Sequence, residues 1–296
     1  MKTYTLSSKD NIQEFLDNLS NEPTTIFLTK GTYRQNIIIR RDNINLIGES
    51  RNETIIVSNK HAKQVNKDLQ VNVTFRTETL RITGSNIKLN NLTIQNDSGL
   101  GPGVGQGVAL SLYGDNIIVN DCNILGTHDT IFLGPLPLDL IDRYTKQEIL
   151  TFDFKHYDSP KHYFYNSHIE GTVDFIFGSS TAIFNKCTIH ALKKGYILAP
   201  STYHNNDIGI VLYDCDITNK TNDKVYLARP WREHGYTAIV NSRISGPIED
   251  NRYHDWSKNN MRLYELPYVQ SSLGKELPNK DLITIESIIK SFSNEV

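Results

Sequence analysis

A four-residue phrase returns six times along this chain and narrows its fold more than any other feature. NLTI (Asn91 to Ile94), DCNI (Asp121 to Ile124), NSHI (Asn166 to Ile169), KCTI (Lys186 to Ile189), DCDI (Asp214 to Ile217) and NSRI (Asn241 to Ile244) share one form. A polar residue, usually Asn or Asp, precedes a residue that is most often Cys or Ser, and an Ile follows two positions later. The successive spacings are 30, 45, 20, 28 and 27 residues, irregular but in the range of solenoid coils. Stacking such coils puts the small residues in one ladder, the Ile residues in another, and Asn or Asp at the turns. The predicted architecture is all-β, a parallel β-solenoid forming one domain over residues 1–296. Cys122, Cys187 and Cys215 all fall inside the repeat and lack CxxC spacing, so they are expected to be buried thiols with no redox or metal role.

The remaining segments fit that frame. TTIFL, NIIIR, INLIG and TIIVS, from Thr24 onward, are short β-branched runs separated by turn residues. Before them, Ile12, Phe15, Leu16 and Leu19 follow helical spacing behind a capping box of Asp10 and Gln13. That helix is expected to close one open end of the stack. Leu282, Ile285, Ile288, Ile289 and Phe292 mark a second amphipathic helix, expected to pack on the last coils. No helical spacing is expected between the two. The 45-residue gap holds an insertion at about 135–161, either a decorative hairpin or a border of the binding surface. A net charge of -2 with interspersed signs offers no basic surface for nucleic acid and no membrane patch. The first residues, MKTYTLSSKDNIQEFL, lack an apolar stretch of signal-peptide length, which predicts a cytoplasmic chain, or a secreted one if a leader has been removed. A monomer is expected.

Four stretches carry polar groups that a bare core would not want: GQGVALSL with Gln106, GTHDTIFLG with His128 and Asp129, GTVDFIFG with Asp174, and YLARPWREHG with Arg229 and Trp231. Simple alternation along GTVDFIFG puts Val173, Phe175 and Phe177 on one face and Asp174 with Ile176 on the other. A carboxylate in that apolar run is costly unless something pairs with it. Consecutive coils could bring all four stretches to one face.

In order and wording these stretches resemble the pectin methylesterases, whose motifs read roughly QAVAL, QDTL, GxVDFIFG and GRPW. The resemblance extends from GTYRQNI near Gly31, through INLIGE, to RLYELPY near Arg262. It implies a right-handed parallel β-helix that hydrolyses methyl esters on galacturonic acid residues of pectin or methylated oligogalacturonides. By resemblance Asp174 is the nucleophile, Arg229 keeps it ionised and aimed, Asp129 is the acid and later the base, and Gln106 is an oxyanion donor. No metal or cofactor is required. Trp231 is expected to offer a flat face to a sugar ring. Phe132, Val173 and Phe177 are candidates to line the cleft, with core packing equally open for each.

Three positions depart from the family wording. His128 stands where Gln is usual before the acid, leaving the second oxyanion donor open. Ala228 replaces Gly before Arg229, a small change if that backbone needs no positive φ. Gly107 replaces Ala after Gln106 and is expected to loosen the site. Two other readings use the same architecture. One is a polygalacturonase or pectate lyase, although the Asp-Asp and Gly-His-Gly signatures and an acidic calcium cluster are missing from the sequence. The other is a non-catalytic carbohydrate-binding solenoid.

Overall fold

Asparagine and aspartate decide where the coils turn. In the computed structural model, which describes residues 2–65, 72–146 and 159–295, the first residue of all six repeats has a positive φ, between 45° and 56°. Asn and Asp adopt this left-handed conformation with the least strain among non-glycine residues, which explains their recurrence there. Asn43, Asn86 and Asn116 form a second left-handed series. Their side chains join coil to coil, Asn86 Nδ2 donating to Asn43 Oδ1 at 3.1 Å and Asn116 Nδ2 to Asn86 Oδ1 at 2.8 Å.

Between these turns the chain forms parallel ladders. One sheet of eleven strands runs from Lys2–Leu6 to Lys275–Glu276. Two further ladders share the long strands His168–Gly178 and Thr188–Pro200, which bend from one into the other. Ile56, Ile94, Ile124, Ile169, Ile189, Ile217 and Ile244 are partners in successive rungs. They belong to one continuous apolar core, where each fully buried Ile contributes about 1.5–3 kcal/mol. Beside them Ser167 Oγ accepts from the Cys122 N–H at 3.1 Å, and Ser242 Oγ from the Cys215 N–H at 3.0 Å. All three thiols are free and buried, with burial pushing the Cys122 thiol up to about 12. The fold is a parallel β-helix.

The ends differ in detail from the sequence expectation. The first helix spans Ile12–Asp17, and its cap is Asn11, whose Oδ1 accepts from the Glu14 N–H at 3.1 Å. Asp10 is instead engaged by the backbone and hydroxyl of Ser7 at 2.7 and 2.8 Å, and Gln13 reaches the backbone of Ile38, so no capping box forms between them. Ile12, Leu16 and Leu19 still close the core. The C-terminal helix Asn279–Ser293 does not close the opposite end. It lies on the outer face of the eleven-stranded sheet, where Phe292 stacks on Tyr163 with ring centroids 5.2 Å apart, and Asp281 accepts from the Tyr236 hydroxyl at 3.1 Å. Tyr163, Ile183, Val211 and Tyr236 give that outer face an apolar surface that needs a cover. The insertion contains a helix, Leu138–Lys146, which the sequence reading did not foresee. Its buried residues Leu140 and Tyr144 are four apart, a helical spacing too short to stand out. The 147–158 part of the expected insertion lies outside the described residues.

Candidate active site

The GTVDFIFG strand does not alternate. Register shifts fall between Gly171 and Val173 and again between Val173 and Ile176, and Asp174 has a φ of 50°. The expected division of faces is therefore wrong. Phe175 and Ile176 both enter the core, while Val173, Asp174 and Phe177 face an open cleft. The two glycines that bracket the stretch permit this path. A Cβ on Gly171 would sit 2.2 Å from the Phe175 Cβ, and Gly178 has a φ of 136° with the Leu133 carbonyl oxygen 2.0 Å from where a Cβ would be. Asp129, on the preceding coil, is left-handed too, with φ 60°, and its N–H donates to the Val173 carbonyl at 3.1 Å. Each acid thus sits at a left-handed backbone position, Asp174 within its strand and Asp129 in the bend before the strand Ile131–Leu133, as strained residues at functional sites often do.

Arg229 reaches Asp174 from across the intervening coil. Ile176 pairs with Leu198, and Leu198 with Ala228, so Arg229 follows the second strand beyond the acid. Its Nε donates to Asp174 Oδ1 at 2.8 Å and its Nη2 to Oδ2 at 2.6 Å, a bidentate fork. The guanidinium is held flat between two rings, 3.7 Å from the centroid of Tyr196 and 3.9 Å from that of Trp256. Tyr196 in turn stacks on Tyr226, and His254 abuts both rings edge-on. Sequence reading missed this aromatic clamp. One signal was available: the chain has only two tryptophans, and both line the cleft.

The two acids differ in how they hold a proton. Burial raises the Asp174 carboxyl above the ordinary carboxylate value, and the hydrogen bonds and charge of Arg229, then the charge of His128, offset only part of that rise. Asp129 is raised well above the ordinary carboxylate value, first by burial and then by the charge of Asp174, with Arg229 opposing. Among the described residues no cation or donor bonds to its carboxyl. Asp129, raised more strongly and without such a partner, is therefore the better proton holder of the two, and Asp174, on the Arg229 fork, the more readily ionised.

Gln106 and His128 complete the cleft, which encloses about 470 Å³. The Gln106 carbonyl accepts from the Ala62 N–H at 2.7 Å, and the His128 carbonyl from the Gly107 N–H at 3.3 Å. Burial holds His128 below the ordinary imidazole value, more than Asp174 raises it, with Lys63 also lowering it. A neutral imidazole with one donor is the form at neutral pH. Gly107 does not loosen the site. A Cβ there would meet Ser98 Oγ at 2.6 Å and Asn96 Oδ1 at 2.7 Å, because buried Asn96 fills the space and donates to the Val108 carbonyl at 3.2 Å. Ala228 lies in a strand without positive φ, so its methyl adds no strain. Trp231 lines the cleft and packs edge-on against Phe177, centroids 5.6 Å apart. Val173 and Phe177 line it as well. Phe132 does not: it is fully buried behind them, with ring centroids 4.8 Å from Phe75 and 5.1 Å from Phe177. Its neighbours in sequence gave no means to tell those two fates apart. The inserted helix contributes Asp139, Leu140, Arg143 and Tyr144 to the rim. Among the described residues no group of three His, Cys, Asp or Glu side chains is placed to hold a metal ion.

A family model described as Pectinesterase matches residues 5–134 and 147–275. The chain belongs to the pectinesterase family. Its relatives include probable pectinesterase/pectinesterase inhibitor 35 of Arabidopsis thaliana, 29% identical over 243 residues that cover 80% of this chain and 40% of the relative. Pectinesterase 3 of Solanum lycopersicum is 28% identical over 246 residues, covering 78% and 39%. The chain thus spans about 40% of the length of the curated relatives it matches. Among solved structures, pectin methylesterase from carrot superposes with a TM-score of 0.74 at 23% identity, covering 94% of this chain and 89% of that one. A pectin methylesterase crystallised in complex with a hexasaccharide gives 0.71 at 22% identity, covering 95% and 94%. The pectinesterase match passes over 135–146, the stretch that forms the inserted helix.

Two outcomes follow from this geometry. Arg229→Lys keeps a charge but loses the fork and the flat face that Tyr196 and Trp256 grip, so turnover should fall roughly 100-fold, the scale of a small misplacement, with little change in melting temperature. Wild-type turnover would remove the clamp from the chemistry. For His128→Gln, the lowered imidazole value places any titration on the acid side of about pH 6.5. Profiles of the variant and wild type should run parallel above that pH and separate below it. Superposition at every pH after scaling would mean that the imidazole takes no titrating part.

Proposed function

We propose that the cleft hydrolyses methyl esters of galacturonic acid residues in pectin or methylated oligogalacturonides. The observation that carries this reading is the unequal pair: Asp174 held by both oxygens on Arg229, beside Asp129, the better proton holder. A carboxylate oxygen of Asp174 attacks the ester carbonyl carbon, and the carbonyl oxygen takes the negative charge. The Gln106 amide and the neutral His128 ring line the cleft where they can donate to that oxyanion. Collapse breaks the bond to the methoxy oxygen, which receives the proton of Asp129 and leaves as methanol. Asp129, now a carboxylate, takes a proton from water as the water attacks the acyl intermediate. The bond from the acyl carbon to Asp174 then breaks, returning the Asp174 carboxylate to Arg229 and releasing the galacturonic acid, while Asp129 retains the proton it took from water.

Trp231 and Phe177 supply the apolar wall against which the sugar ring and the ester methyl rest. Incubation with methylated galacturonan tests the reading. Methanol and new carboxylate in equal amounts, at unchanged chain length, support it. New reducing ends would favour a glycosidase, unsaturated ends a lyase, and no product at all a binding solenoid.

A further inference from the structure

Two hollows lie side by side along the active face, and one ion pair stands between them. The first is the cleft just described; the second, about 420 Å³, is lined by Tyr203, His204, Glu233 and His234 among others. Arg232 and Asp139 line both. Arg232 donates from Nε to Asp139 Oδ1 at 2.9 Å and from Nη2 to Oδ2 at 2.8 Å. Its guanidinium lies over the Trp231 ring at 4.6 Å, and its Nη1 donates to the Trp231 carbonyl at 2.9 Å. The bar therefore begins at Trp231 and ends on the inserted helix.

That helix is anchored. Leu140 and Tyr144 are buried in the apolar cluster of Phe75 and Phe132, the Tyr144 and Phe75 rings 6.0 Å apart. On its N-terminal side, the Tyr203 hydroxyl donates to the Leu136 carbonyl at 2.6 Å. Asp139 itself is 63% exposed and Arg232 29%, so the pair adds little to stability. Its position matters more than its strength. Leu136, Asp139, Leu140 and Tyr144 fall in the 135–146 stretch that the family match passes over, whereas Arg232 lies within the matched residues.

We propose that the Arg232–Asp139 bar ends the substrate groove beside Trp231, so that this chain acts preferentially on short methylated oligogalacturonides. A galacturonan polymer has sugar units on both sides of the reacting ester and must run on past the cleft. In the direction of the second hollow, two hydrogen-bonded side chains cross that path. A short oligomer can seat its reacting unit against Trp231 with its end at the bar. The inference rests on the ester-hydrolase reading above, and its tests are chosen to fail separately.

The wild-type enzyme is first measured on a size series from methylated trigalacturonide to methylated polymer. The bar predicts that kcat/KM, counted per ester, is highest for the short members. A polymer preferred tenfold or more would overturn the inference. Asp139→Ala/Arg232→Ala then removes both side chains of the bar, and the ratio of kcat/KM for polymer over trimer should rise at least tenfold. A ratio within twofold of wild type, in a variant that melts within a few degrees of it, would also overturn the inference. If this variant does not fold, the wild-type size series decides alone. Methanol released from no substrate of any length would instead defeat the ester-hydrolase reading.

Discussion

Asp174→Asn should lower methanol release by at least about 10³-fold, a conservative loss for a nucleophile, while the protein stays folded. The amide has nearly the shape of the carboxylate and can still accept from Arg229, but it has no charge with which to attack the ester carbon. The guanidinium keeps its place between Tyr196 and Trp256, so the site should hold its form without the second charged hydrogen bond. A loss of about 1 kcal/mol in a chain of this size moves the melting temperature by only a few degrees. Circular dichroism and a melting curve beside the methanol assay separate the two effects. Activity above about a hundredth of wild type would assign the attack to another group.

Asp129→Asn should also be severely impaired, by about 10²–10⁴-fold, because it can neither protonate the leaving methoxy oxygen nor activate water. Its effect on stability should have the opposite sign. Folding raises the proton affinity of the Asp129 carboxyl, through burial and the charge of Asp174. A carboxyl raised in this way contributes most favourably at pH values below its unfolded value, near 3.9, and that contribution is lost as pH rises towards the folded value. Each tenfold difference in proton affinity between the folded and unfolded chain is worth about 1.4 kcal/mol. Asn removes the titration. The variant and wild type should melt alike near pH 4, and the variant should melt higher as pH rises to neutrality. A variant that is less stable than wild type at pH 7 would mean that the Asp129 carboxyl is not strained in the fold.

The ladders of this fold were legible in the sequence because one small set of contacts repeats on every coil. Ile at one position, Cys or Ser before it and Asn or Asp at the turn each answer a need that recurs: core volume, a tight approach, a left-handed φ. The site was legible through its motifs, and Gln106, His128, Asp129, Val173, Asp174, Phe177, Arg229 and Trp231 do line one cleft. What stayed hidden was whatever depends on non-repeating geometry. The register shifts around Val173 leave no trace in the order of residues, so a period of two assigned Phe175 and Ile176 to opposite faces when both are in the core. Phe132 and Phe177 are partners in adjacent strands, yet only Phe177 reaches the cleft, since Phe75 and Tyr113 cover Phe132. Tyr196 and Trp256 join Arg229 from segments with no motif of their own. The C-terminal helix has the expected apolar stripe, but a stripe does not state its destination. It covers the aromatic outer face of the eleven-stranded sheet, the last coils included, since Tyr236, Tyr264 and Leu266 share its apolar cluster.

The proposed ester hydrolysis needs one division of labour, a proton on Asp129 and a charge on Asp174, and infrared difference spectroscopy of the aspartate carboxyls measures that division without substrate. Wild-type spectra are compared with Asp129→Asn and Asp174→Asn at pH 5, about one unit above the ordinary aspartate value. The expected result is that Asp129→Asn removes a protonated-carboxyl band and Asp174→Asn removes a carboxylate band. The reverse assignment, or an Asp129 already ionised at pH 5, would contradict it.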